Sequence, residues 1–174
     1  PGFRNSIWSE QLCELFISNA QKNIDANIVI DAGALFFIKD FGCPTNAIIT
    51  PHPGEAAMLL DCSVKDIQKN RLEAAKELFR QYNCLVILKG YETIVFDGEA
   101  FKCTDGGPAL SSAGTGDVLA GLVGSFLAQG LERRDAAKFS VAIHGAAGDR
   151  FSQNKKIRGL TATKLIRIIT QEMM

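Results

Sequence analysis

The chain has 174 residues, enough for a domain with a sizeable core, and its 47% apolar and 22% charged content is ordinary for a globular protein. Nineteen basic and nineteen acidic side chains cancel, which excludes an overall positive field for nucleic acid or anionic membrane. A phosphate-bearing ligand therefore has to be held locally, by loops and helix ends, and no stretch is long and apolar enough to span a bilayer.

In chain order, residues 9–23 place Leu12, Leu15, Phe16 and Ala20 at helical spacing, with Ser9 as the expected cap. NIVIDA, residues 27–32, predicts a short buried strand ending in Asp31. AIIT, residues 47–50, predicts another, stopped by Pro51 and Pro53. From Ser63 one long amphipathic helix is expected to about Tyr82, with Asp66 completing a capping box. CLVILKG, residues 84–90, predicts a buried strand, and Asp97-Gly98 then marks a hairpin turn within residues 93–103. Three helices close the chain: residues 118–129, 135 to about 152, and 161 onward.

Strands separated by helices predict an α/β fold, a mostly parallel central sheet with helices on both faces. Ligands of such sheets bind beyond the carboxyl ends of the strands. Asp31, the PHPGE run, Lys89-Gly90 and the GTGD loop are all expected at those ends. Five cysteines (Cys13, Cys43, Cys62, Cys84, Cys103), odd in number and without a CxxC pair, fit reduced thiols of a cytoplasmic protein. The two histidines, His52 and His144, have no cysteine neighbours, so a structural zinc site is not expected.

The GTGD loop carries the sharpest chemistry. Gly114 and Gly116 permit positive φ and close approach, and the helix that follows offers unpaired N–H donors, so Gly114, Thr115 and Gly116 form a candidate anion hole. Asp117 is either the N-cap of that helix or a general base. In PHPGE, His52 suits a phosphate or pyrophosphate contact and Glu55 an indirect, water-mediated Mg²⁺ contact; the alternative is a rigid turn into a helix at Ala56. Lys89 and Thr93 can reach nucleotide phosphates, or Lys89 is a solvated strand end. His144, beside Gly145, Ala146, Ala147 and Gly148, reads as a packing residue on a closely packed helix.

TPHPGE, VILKG before a Thr-Ile-Val strand, AGTGDVLAG and AIHGAAGD occur in the order seen in the NAD(P)H-hydrate dehydratases, which nearly the whole chain resembles. The resemblance implies the ribokinase-like fold, with residues 1–174 as a single domain lacking its N-terminal part. It implies ADP- or ATP-dependent dehydration of hydrated NADH or NADPH, with Mg²⁺ and in a homo-oligomer. Phosphorylation of the ring hydroxyl would precede elimination of phosphate. Asp117 would take the hydroxyl proton, and residues 114–116 would hold the phosphoryl group. His52 and Asp117 would contact the hydrated dinucleotide. Lys89, Gly90, Tyr91, Glu92 and Thr93, with Gly116, would contact the nucleotide. There are departures: Arg4 stands where the family has a glycine, and Gly33 where many members have an aspartate. The alternatives are an inactive nucleotide-binding relative and a vitamin-precursor kinase of the same superfamily.

Overall fold

Short β-branched runs, the first two followed by helical turns and the third by a hairpin, assemble into one five-stranded sheet in the computed structural model, which describes residues 2, 6–23, 25–153 and 159–172. Arg4 lies outside the described residues. The chain divides into two compact units, Pro1–Gly90 with Ile94–Phe101, and Tyr91–Thr93 with Lys102–Met174.

The first unit contains α1 (Ile7–Lys22), β1 (Ile28–Ile30), a 3-10 turn (Ala32–Phe36), α2 (Ile38–Phe41), β2 (Ala47–Ile49), α3 (Pro53–Leu59), α4 (Val64–Lys69) and α5 (Arg71–Tyr82). Strands β3 (Leu85–Leu88), β4 (Ile94–Phe96) and β5 (Ala100–Lys102) follow. The sheet runs in the order β1-β2-β3-β4-β5. β1, β2 and β3 are parallel, with Ile30 opposite Ile49 and Ile49 opposite Val86, whereas β3 and β4 pair antiparallel. The sheet is therefore mixed, parallel only where a helical crossover joins the strands.

Side-chain alternation then sorts the strands' two faces. Ile30, Ile49, Val86 and Leu88 pack against Ala56 and Leu59 of α3 and Ala75 and Leu78 of α5. The Phe79 ring meets Phe96 edge-on, with centroids 5.4 Å apart. On the opposite face Ile48, Ile87 and Val95 are also buried. Tyr82 closes α5 by donating to the Leu59 carbonyl at 3.0 Å, and burial pushes its phenol up to about 12.

Two expected boundaries move for local reasons. The first helix starts earlier than Ser9, because Ser6 is its N-cap and accepts the Ser9 N–H at 3.2 Å. The helix expected from residue 63 to 82 is two helices. The Ser63–Asp66 capping box forms, with reciprocal bonds of 3.1 Å, but Asn70 leaves helical geometry and its Oδ1 accepts the Glu73 N–H to start α5. Asparagine competes for backbone partners in this way and so ends one helix and caps the next.

The second unit contains a 3-10 turn (Pro108–Ser111), α6 (Thr115–Ala128), α7 (Arg133–Gln153) and α8 (Ala162–Glu172) around Ala109, Ala147, Leu160, Leu165 and Ile169. α6 begins at Thr115 rather than Val118, which draws Gly116 and Asp117 into its first turn. The small residues of AIHGAAGD do permit close packing, though the partner is a loop as well as a helix. A Cβ on Gly145 would stand 2.8 Å from the Asp105 carbonyl oxygen, and one on Gly148 2.6 Å from Leu110 Cγ. Gly145→Ala is expected to lower the free energy of unfolding by about 1–2 kcal/mol, overpacking outweighing the helix-propensity gain. Urea denaturation checks this, and unchanged stability would show that the 105–110 loop yields freely.

Candidate functional site

The first unit gathers its candidate residues at the carboxyl ends of the parallel strands. Asp31 follows β1 and Lys89 follows β3, and each is one residue beyond a core-facing side chain, so both lie on the opposite face of the sheet. Lys89 Nζ stands 2.6 Å from Asp31 Oδ1 and 3.7 Å from Glu55 Oε2. Asp31 is 1% exposed, and the Lys89 side chain 16%. The lysine at this strand end is thus drawn into a partly buried ion pair with a second carboxylate nearby. The Lys89 backbone is held as well: its N–H donates to the Pro51 carbonyl at 2.9 Å, and its carbonyl accepts from Arg71 Nη2 at 3.2 Å. Gly90, at φ +138°, leaves room for that guanidinium, since a Cβ there would lie 2.9 Å from Arg71 Nη1.

PHPGE forms the start of α3, with Pro53 at its first position, where the missing N–H costs nothing. His52 is the N-cap: Nδ1 accepts the N–H groups of Gly54 at 3.0 Å and Glu55 at 3.2 Å, while Glu55 Oε2 accepts the His52 N–H at 2.7 Å. The helix therefore starts at Pro53, not Ala56. Because Nδ1 is an acceptor, the proton of neutral His52 resides on Nε2, 3.4 Å from Glu55 Oε1. The His52 side chain remains 56% exposed, so its outer edge is available to a ligand. Gly54 is needed here too, since a Cβ would sit 2.9 Å from His52 Cε1.

In the second unit Gly114, at φ +83°, is the N-cap of α6 and supplies no side-chain cap. Asp117 is consequently not the cap. It stands at the third helical position, exposed, with no hydrogen bond or ion pair to the described residues, where the helix dipole favours negative charge. The Gly116 and Asp117 N–H groups likewise have no acceptor among the described residues. Thr115 faces inward: its buried hydroxyl lies 2.6 Å from the Leu110 carbonyl oxygen and 2.8 Å from that of Ser112, and its N–H donates to Ser112. Thr115 therefore shapes the loop, and the donors left for an anion are Gly116 and Asp117. His144 Nε2 lies 2.9 Å from the Thr115 carbonyl oxygen, so this buried histidine packs α7 onto the first turn of α6.

The LKGYET run divides between the units. Lys89 and Gly90 belong to the first. Tyr91, 78% exposed, Glu92, at φ +54° and ion-paired with Lys102, and Thr93, whose carbonyl accepts the Cys103 N–H at 2.9 Å, belong to the second. The structure thus brings together Asp31, His52, Glu55 and Lys89 in one unit, and Gly114, Thr115, Gly116 and Asp117 in the other. One participant escaped the sequence reading: Arg71, just after the Asn70 break, gave no sign that it locks the end of β3. Asp31 was legible as a candidate at a strand end, but its pairing with Lys89 was not. Gly33, where the resemblance leads one to expect a carboxylate, sits half-buried in the 3-10 turn.

No group of three or more His, Cys, Asp or Glu side chains that could hold a metal occurs among the described residues. Removing the Thr115 hydroxyl tests the loop: Thr115→Val is expected to cost about 1–2 kcal/mol of stability, and Thr115→Ser less than about 1 kcal/mol. Thermal unfolding of both variants would show equal losses if the hydroxyl did not matter.

Comparison with known proteins gives a consistent result. The model of the NAD(P)H-hydrate dehydratase family matches residues 1–171. A bifunctional NAD(P)H-hydrate repair enzyme of Vibrio cholerae is 41% identical over 168 residues, 95% of this chain and 33% of that protein. The ADP/ATP-dependent NAD(P)H-hydrate dehydratase of Bacillus subtilis, co-crystallised with ATP and Mg²⁺, superposes with a TM-score of 0.84 at 28% identity. That alignment covers 98% of this chain and 61% of the Bacillus chain. A ribokinase-like superfamily protein of Enterococcus faecalis superposes with a TM-score of 0.82 at 24% identity, over 98% of this chain and 60% of its own, and shares the fold alone. The fold is ribokinase-like, and the chain spans about a third of the length of the Vibrio enzyme.

Proposed function

This chain belongs to the NAD(P)H-hydrate dehydratase family, and from that premise we propose that it carries the nucleotide-dependent dehydration of hydrated NADH or NADPH. The observation that carries the reading is Asp117. It is an exposed carboxylate with no protein partner among the described residues, in the first turn of a helix whose Gly116 and Asp117 N–H groups also lack acceptors. A carboxylate so placed can accept a proton, while the adjacent donors can stabilise a phosphoryl group beside it.

In this reading the hydroxyl of the damaged nicotinamide ring attacks the terminal phosphoryl group of ADP or ATP and passes its proton to Asp117. The transfer releases AMP from ADP or ADP from ATP. The ring C–O bond of the phosphate ester then breaks, its electron pair leaving with inorganic phosphate, as the neighbouring ring carbon loses a proton and the ring double bond forms. Gly114 and Gly116 shape and donate to the phosphoryl cradle, with Thr115 as its inward tie. His52, pinned by its capping bonds, presents a defined edge to the hydrated dinucleotide. Lys89, Gly90, Tyr91, Glu92 and Thr93 contact the nucleotide. Mg²⁺ accompanies the nucleotide phosphates and offsets their charge. Glu55 retains lone pairs for its water shell beyond those used by His52 and Lys89, which suits an indirect role. The family match runs through both units, which supports residues 1–174 acting as one catalytic domain. No helix among the described residues is long and apolar enough to cross a membrane. Reduced thiols favour a cytoplasmic setting, and the resemblance favours a homo-oligomer.

The test is NADH regeneration from purified hydrated NADH, followed by absorbance, with Mg²⁺ and either ADP or ATP, using the full natural polypeptide. Nucleotide-dependent production is expected, and Asp117→Asn is expected to reduce it at least ~100-fold with the melting temperature retained. A fully active Asp117→Asn protein would remove the proposed base. A folded enzyme that binds nucleotide but never turns over would instead be an inactive relative.

A further inference from the structure

We propose that Asp31 is a positioning residue for the nucleotide site, fixing the Lys89 ammonium across the carboxyl ends of the parallel strands. The inference rests on the assignment of Lys89 to the nucleotide.

Asp31 does no local work with its side chain. It occupies the N-cap of the 3-10 turn, where aspartate usually accepts a backbone N–H, yet it makes no side-chain cap bond. A buried carboxylate needs a partner, and among the described residues Asp31 pairs with Lys89, 58 positions away in sequence. The residue after it, Ala32, has φ +52°, a conformation alanine avoids and one that tends to persist where the surroundings over-determine it.

Strand geometry explains the reach. β1 and β3 are separated by β2, so their backbones lie about 10 Å apart, two inter-strand spacings. Thr50 donates its N–H to the Ile30 carbonyl at 3.1 Å, continuing the register at the end of β2 between them. The Lys89 stem therefore spans the end of β2 to meet Asp31. Its main chain is clamped by Pro51 on one side and Arg71 on the other, and its ammonium by Asp31 with Glu55 behind. A lysine is normally a flexible point charge. Here every part of it is held before a ligand arrives, which lowers the ordering cost of binding a phosphate.

The experiment is a double-mutant cycle in the full natural polypeptide, read as nucleotide KM and kcat in the NADH regeneration assay, with direct titration of ADP and ATP. Lys89→Met is expected to raise the nucleotide KM about tenfold or more, the loss of one charged contact. Asp31→Asn is expected to raise it about tenfold with kcat changed less than about threefold, and to add less than about twofold in the Lys89→Met background. The double variant removes both charges together and should fold. If Asp31→Asn alone does not fold, Asp31→Glu keeps the charge and takes its place, with a KM rise expected only when Lys89 is present. An Asp31 effect that persists undiminished without Lys89, or no effect at all, overturns the positioning role. An unchanged nucleotide KM in Lys89→Met overturns the assignment of Lys89 itself, and the positioning role with it.

Discussion

Parallel pairing of β1, β2 and β3 is the constraint on which the first unit's chemistry depends. Parallel strands all end on the same side, so the residues that follow them become neighbours however far apart they lie in sequence. Asp31, Pro51 and Lys89 follow three consecutive strands of the sheet. The in-register alignment of Ile30 with Ile49 and of Ile49 with Val86 then decides which side chains share a face. Leu88 and Ile30 point into the core, and their successors Lys89 and Asp31 meet on the other side. A slip of one residue in either strand would exchange those faces and place a charge in the apolar core.

The starts of α3 and α6, one in each unit, are built in opposite ways. α3 is fully served at its N-terminus: His52 takes two N–H groups, Glu55 returns a bond to His52, and Pro53 removes a donor. α6 begins instead at a glycine without a side chain, and its first-turn donors at Gly116 and Asp117 find no protein acceptor among the described residues. One end is closed and stiff, suited to holding a histidine edge in place. The other keeps donors for an anion, with the macrodipole favouring negative charge there. The same motif vocabulary, a helix start next to glycine, thus yields a fully capped N-terminus in one unit and one with donors left over in the other.

Much of this was legible beforehand, for identifiable reasons. β-branched runs gave the positions of β1, β2 and β3, Asp97-Gly98 gave the hairpin, and Ser63 with Asp66 gave a helix start, because each signal acts over a few residues. The GTGD, PHPGE and LKGYET segments were legible as candidates because glycine, proline and charge cluster in them. The errors were local competitions that composition does not resolve. Ser6 took the capping bond expected of Ser9, Asn70 divided a continuous apolar face into two helices, and Gly114 started α6 at Thr115 rather than at the expected Val118.

The sequence by itself determined the alternating fold, the strand ends, and the carboxylate that follows the glycines, since these follow from periodicity, backbone freedom and residue chemistry within short windows. Only the tertiary structure decided what the side chains do there. Thr115 turns inward to its own loop, Arg71 clamps the end of β3, and Lys89 crosses β2 to a buried Asp31. The Thr115 contacts reach only three and five residues back, but the Arg71 and Lys89 contacts rest on strand order, register and burial, which join residues 17 to 58 positions apart and leave no trace in the local pattern of either.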